Sequence, residues 1–136
     1  MSFSDKYQMI RVIKHGPFGT IFEVKKKLNE KNHYALKLLK KDLSSDYQKE
    51  IEVMKYISRK SKYIIQLKDY YYDKINDGYC IVMELCDGDL RQILNKYKPN
   101  GLPLNMIKKI FSQLNEALKV MINNDYTHRN LKPENI

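Results

Sequence analysis

The chain has 136 residues, 43% hydrophobic and 30% charged, and its 25 Lys and Arg outnumber its 16 Asp and Glu for a formal net charge of +9. No apolar run approaches the roughly 18 residues that a membrane span needs, and Met1-Ser2-Phe3-Ser4-Asp5-Lys6 is no signal peptide, so a soluble cytoplasmic protein is expected, with the nucleus also open to it. The cations are scattered, as in Lys25-Lys26-Lys27, Lys40-Lys41, Arg59-Lys60 and Lys108-Lys109, which reads as a solvated surface and not as a specific nucleic-acid footprint, while Cys80 and Cys86 lack C-x-x-C spacing and a partner His and read as free thiols.

Residues 7–13 and 20–25 are short apolar-containing segments on either side of Gly16-Pro17-Phe18-Gly19. That pattern predicts a β-hairpin whose glycine-rich tip lets backbone approach a ligand closely. Residues 34–39 form a mostly apolar strand. Ser45, with Gln48 three positions on, is a capping box, so a helix is predicted to begin there. Within it Tyr47, Glu50, Met54 and Ile57 recur at spacings of three and four, which turns Glu50 toward the sheet between apolar neighbours.

Residues 64–72 and 79–85 read as two further strands joined by a polar turn containing Asn76-Asp77-Gly78. After Asp87-Gly88-Asp89 the pattern changes to helices. The first is predicted over 90–97, with Asp89 as a candidate N-cap. The second runs over about 105–124, where Ile107, Ile110, Phe111, Leu114, Ala117, Leu118, Met121 and Ile122 line one broad face that requires burial against other elements. The expected fold class is α+β: a five-stranded antiparallel lobe with one helix, followed by the first helices of a second, helical lobe.

The last nine residues, His128-Arg129-Asn130-Leu131-Lys132-Pro133-Glu134-Asn135-Ile136, resemble the catalytic loop of protein kinases, whose pattern reads H-R-D-x-K-P-x-N. Upstream, Tyr34-Ala35-Leu36-Lys37 is similar to the family's V-A-I-K strand. Lys49-Glu50-Ile51-Glu52-Val53-Met54 resembles the helix that carries the lysine's carboxylate partner, and Tyr79-Cys80-Ile81-Val82-Met83-Glu84-Leu85-Cys86 looks like the fifth strand and hinge. The resemblance spans residues 7–136 and implies a domain divided at about residue 85 into a small lobe and the start of a large one. The chain would then hold about half of a kinase domain.

The resemblance also implies roles. Lys37 would grip the α and β phosphates of ATP and Glu50 would hold Lys37. Ile13, Gly16 and Gly19 would lie at the nucleotide, Ile21 and Ala35 would roof the adenine pocket, and Met83 would be the gatekeeper. Backbone groups of Glu84 and Cys86 would bond the adenine edge, and Asp89, or Asp87, would reach the ribose. Lys132 would contact the transferred phosphate, as in Ser/Thr kinases, and Asn135 would hold magnesium. ATP and a protein substrate or partner are the implied ligands.

Four features stand against activity. Asn130 occupies the position of the catalytic Asp, and an amide is a very poor proton acceptor near neutrality. Lys14 replaces the first glycine of G-x-G-x-x-G. Pro17 has no N–H to offer a phosphate, so reduced nucleotide affinity is expected. No Asp-Phe-Gly occurs in the chain. The readings left open are a kinase domain inactive as this chain, a pseudokinase that binds nucleotide or partners, and a degenerate gene fragment.

Overall fold

The computed structural model describes residues 3–17 and 19–136, so Phe18 of the glycine-rich turn, with Met1 and Ser2, lies outside the described residues. A one-turn helix α1 (Phe3–Lys6) leads into five strands: β1 (Tyr7–Gly16), β2 (Gly19–Lys26), β3 (Asn29–Lys40), β4 (Leu67–Asp73) and β5 (Gly78–Glu84). They form one antiparallel sheet in the order β1-β2-β3-β5-β4. Helix α2 (Ser44–Ile57) crosses between β3 and β4, and α3 (Leu90–Lys96) and α4 (Leu104–Ile122) follow the sheet. The α+β class and the order of elements are as the sequence predicts.

Strand alternation sorts the core onto two faces. Tyr7, Val24, Leu36, Cys80 and Val82 are buried together on one. Leu39 and Ile81 point the other way and are covered by Tyr47 and Ile51 of α2. The Tyr47 ring stacks on Tyr79 at 4.4 Å, which fixes α2 over β5. Each fully buried aliphatic side chain contributes about 1.5–3 kcal/mol, so this apolar sandwich dominates the stability of the sheet lobe. Burial also pushes the Cys80 thiol up to about 12, which makes it an inert core residue.

Several boundaries differ from expectation. Ser45 lies inside α2, because a 3-10 turn (Lys41–Leu43) runs straight into the helix and starts it one residue earlier. β1 reaches Gly16 and β3 begins at Asn29, since each is carried by pairing with β2 and not by its own hydrophobicity. β4 begins at Leu67, leaving Ile64 and Ile65 in a loop. That loop is pinned by Gln66, whose Nε2 donates to the carbonyls of Ser58, Ser61 (3.2 Å) and Ile64 (2.8 Å). The turn after β4 is built by Asp73, whose Oδ1 accepts from the backbone N–H groups of Ile75 (2.9 Å) and Asn76 (3.0 Å). At the start of β5 a Cβ on Gly78 would stand 2.5 Å from the Leu39 carbonyl oxygen, so the close approach of β3 admits only glycine there.

Candidate functional site

Lys37 alternates with Leu36 and Leu38 along β3 and therefore faces α2. One turn beyond Tyr47, α2 presents Glu50 to it. The ammonium lies 2.8 Å from Oε1 and 2.6 Å from Oε2 of Glu50, with the two side chains 24% and 33% exposed. Gripping by both carboxylate oxygens fixes the cation at the sheet surface while leaving it within reach of a ligand. In the strand register Ile21 pairs with Lys37, and Ala35 pairs with Glu23 on one side and Met83 on the other. Ile21, Ala35 and Lys37 thus share one face. Met83 also packs against the Leu39, Tyr47, Ile51 and Ile81 cluster, so it belongs to the core under α2.

The β1–β2 hairpin closes with Gly16 opposite Gly19. A side chain at Gly19 would run into the Leu38 carbonyl of β3, so glycine is required by the neighbouring strand as well as by the turn. Ile13 sits at the irregularity between Val12 and Lys14, exposed to solvent. At the end of β5 the Glu84 N–H donates to the Gln66 carbonyl (3.0 Å) and its Oε1 accepts from the Gln66 N–H (3.0 Å). Its backbone N–H is therefore committed, and the backbone carbonyl and Oε2 are left as candidates for a ligand. Cys86 follows, exposed. Asp89 caps α3, its Oδ1 accepting from Gln92 N–H at 2.9 Å, so one of its two oxygens is committed to the helix.

Residues 128–136 dock on the start of α3. The Leu90 N–H donates to the Ile136 carbonyl (2.8 Å), and Arg91 Nε donates to Glu134 Oε1 (2.8 Å). That guanidinium holds the Glu134 carboxyl below its usual range. Arg129 adopts a left-handed φ of 61°. Asn130 is held through its backbone, its N–H donating to His128 Nδ1 (3.3 Å) and its carbonyl accepting from Asn135 Nδ2 (2.9 Å). The Asn135 side chain therefore keeps its amide oxygen as an acceptor. Asn130, Lys132 and Asn135 are all exposed. Among the described residues no hydrogen bond or ion pair joins this segment to Lys37 or Glu50.

ATP and magnesium fit these residues unequally. A fixed ammonium beside the apolar Ile21 and Ala35 offers phosphate and ring binding on one face. By contrast, the described residues contain no group of three His, Cys, Asp or Glu able to hold a metal ion. Asn135 offers magnesium a single neutral oxygen, which by itself is too poor a donor set to hold it.

Beyond Ala35 the same face carries a cluster that the motif reading passes over. Glu23 accepts from Arg11 Nε (2.7 Å) and lies 2.7 Å from His33 Nδ1, tying β1, β2 and β3 together at the outer end of the sheet. Period-two alternation would have found it, because Glu23 is two residues after Ile21 and His33 two before Ala35. The His33 and Arg11 hydrogen bonds hold the Glu23 carboxyl below its usual range. A depressed folded-state pKa means that the ionised form stabilises the fold above the unfolded value of about 4.3, and that this contribution disappears as pH falls through the folded value. Glu23→Gln is expected to lower the thermal midpoint at pH 7, with the gap from wild type closing as pH falls below the unfolded value of about 4.3 and through the lower folded one. A gap that stays constant over that range would assign the effect to packing instead of charge.

Comparison with known proteins places this geometry. The family model described as the protein kinase domain matches residues 7–136. The chain is 30% identical over 138 residues to a putative dual specificity tyrosine-phosphorylation-regulated kinase 3 homolog of Drosophila melanogaster, covering 96% of the chain and 16% of that protein. It is 34% identical over 142 residues to the serine/threonine-protein kinase prpf4B of Dictyostelium discoideum, covering 97% and 17%. To a cyclin-dependent kinase 4 homolog of Caenorhabditis elegans it is 30% identical over 142 residues, covering 94% and 34%. The chain thus spans about a sixth to a third of the length of these relatives.

Proposed function

The chain belongs to the protein kinase domain family, and from that premise we propose that Lys37 and Glu50 are the phosphate-orienting pair of an ATP site of the Ser/Thr kinase type. The observation that carries this reading is the two-oxygen grip of Glu50 on Lys37, made between β3 and α2 beside Ile21 and Ala35. Residues up to about 85 form the nucleotide-binding lobe and its hinge strand, and 86–136 begin the helical lobe. ATP supplies the γ-phosphoryl group for transfer to a protein hydroxyl. The residues here serve that transfer by orientation: Lys37 draws the phosphates to the sheet, Ile21 and Ala35 exclude water above the ring, and Lys132 meets the transferred charge.

A second reading, a pseudokinase that binds nucleotide or a partner without transfer, is favoured by Asn130. Its side chain stands at the base position with no charge to take a proton. Lys14 and Pro17 weaken the phosphate cradle in the same direction.

The test of the nucleotide site is binding by a polypeptide that joins these residues to a complete helical lobe. Lys37→Met and Glu50→Gln are each expected to weaken ATP binding at least about tenfold, the scale of one lost charge-assisted contact. Folding should change little, because a partly exposed pair contributes only about 0–1 kcal/mol. Equal ATP affinity in wild type and both variants would reduce Lys37 and Glu50 to an ordinary surface pair.

A further inference from the structure

Away from Lys37, the C-terminal end of α2 and the edge strand β4 enclose a cavity of about 350 Å³, lined by Lys55, Ser58 and Arg59 on the helical side and by residues 67–70 of β4. Its charge is one-sided. Lys55, Arg59 and Lys68 are all exposed, and none forms an ion pair among the described residues. The one acid in the lining, Asp69, is already matched: its Oδ2 accepts from Lys6 Nζ (2.9 Å) and Tyr7 Oη (3.4 Å), and its Oδ1 from the Tyr70 N–H (2.9 Å). The Lys55 ammonium is ordered over the Tyr70 ring, 4.1 Å from its centroid. Neighbouring cations are turned to other partners, Lys60 to Asn124 and the Tyr56 ring and Lys62 to the Tyr63 ring.

We propose that this cavity is a docking site for an acidic, extended peptide segment of a protein partner. Three cations without a carboxylate partner in one concavity, one of them held over the Tyr70 ring, repel one another and favour a ligand that brings negative charge. Two features select a peptide over a nucleic acid. β4 is an edge strand with no further strand on its outer side, so an extended chain can lie along it, although the Tyr70 N–H there is already committed to Asp69 Oδ1. Leu67 and Tyr70 add apolar surface between the cations, which suits side chains alternating along such a chain.

The probe is a fluorescent ten-residue Glu-rich peptide, compared with its Gln counterpart and with a single-stranded oligonucleotide. The Glu peptide is expected to bind at least tenfold more tightly than the Gln peptide and to shift the backbone amide resonances of residues 55–59 and 67–70 in the wild-type chain. Arg59→Glu with Lys68→Glu should weaken it at least tenfold. Lys108→Glu with Lys109→Glu on α4, an equal change of net charge, should weaken it less than twofold. Equal losses in the two double variants, equal binding of the Gln peptide, amide shifts that spare residues 55–59 and 67–70, or displacement of the peptide by an equimolar oligonucleotide would each overturn the proposal. The resonance shifts are read on the wild-type fold and stand whether or not a variant folds.

Discussion

Replacing Asn130 by Asp, in a polypeptide that also carries a complete helical lobe and an Asp-Phe-Gly segment, is expected to raise γ-phosphoryl transfer to a Ser/Thr peptide at least about tenfold, out of the roughly 10²–10⁴ that a positioned general base supplies. The local structure permits the exchange. Both hydrogen bonds that fix residue 130 use its backbone, the N–H to His128 and the carbonyl to Asn135, so the loop survives when the amide becomes a carboxylate. The change is then confined to proton affinity, which an amide lacks and a carboxylate has. Radiolabelled phosphate transfer measures it. An unchanged rate would move the defect to the phosphate cradle, with Pro17 the next residue to replace. A polypeptide of residues 1–136 alone, which has neither the base nor an Asp-Phe-Gly aspartate, is expected to transfer no phosphate. Turnover that disappears in a Lys37→Ala control would contradict that expectation.

What the sequence makes legible here is what local chemistry dictates. Leu36, Leu38 and Leu39 announce β3, and the three- and four-residue spacing of Tyr47, Glu50 and Met54 points Glu50 at the sheet, while its pairing with Lys37 is what the resemblance to protein kinases implies. What pairing dictates is hidden. Asn29 and His33 are poor strand formers, yet they lie in β3 because Lys26 and Lys25 of β2 face them in the hairpin. The reverse error occurs at Ile64 and Ile65, whose apolar side chains suggest a strand although the Gln66 amide ties their backbone into a loop. Long-range matches such as Asp69 with Lys6 have no sequence period at all, being set by where the β4 edge meets the end of α1. Asp89 shows a third kind of limit, because ribose contact and helix capping ask for the same residue, and only the 2.9 Å bond from Gln92 reveals that it caps α3.

In a chain of residues 1–136, α4 is expected to exchange its amide hydrogens far faster than the sheet. The helix carries the broad apolar face that the sequence predicts, but only Ala117 on it is buried, and Leu104, Phe111 and Ile122 are 66%, 67% and 68% exposed. Ile107, Leu114, Leu118 and Met121 are half-buried. Each large apolar side chain left in water forgoes roughly 1.5–3 kcal/mol of burial. For the three most exposed alone the shortfall is about 4–9 kcal/mol, comparable with the whole stability of a domain at about 5–15 kcal/mol. Little else holds the helix. Pro103 at its N-terminus gives no side-chain cap, and helices resting on propensity alone are marginal in water. The sheet has the opposite character, with Val24, Leu36, Cys80, Ile81 and Val82 fully buried on its two faces. Hydrogen exchange should therefore show strong protection within residues 7–85 and weak protection over residues 105–124. Protection of α4 that grows with protein concentration would mean that its apolar face is covered by a second copy. Strong protection of α4 in a monomer, independent of concentration, would show that the half-buried side chains suffice and that the exposed face costs less than transfer energies imply.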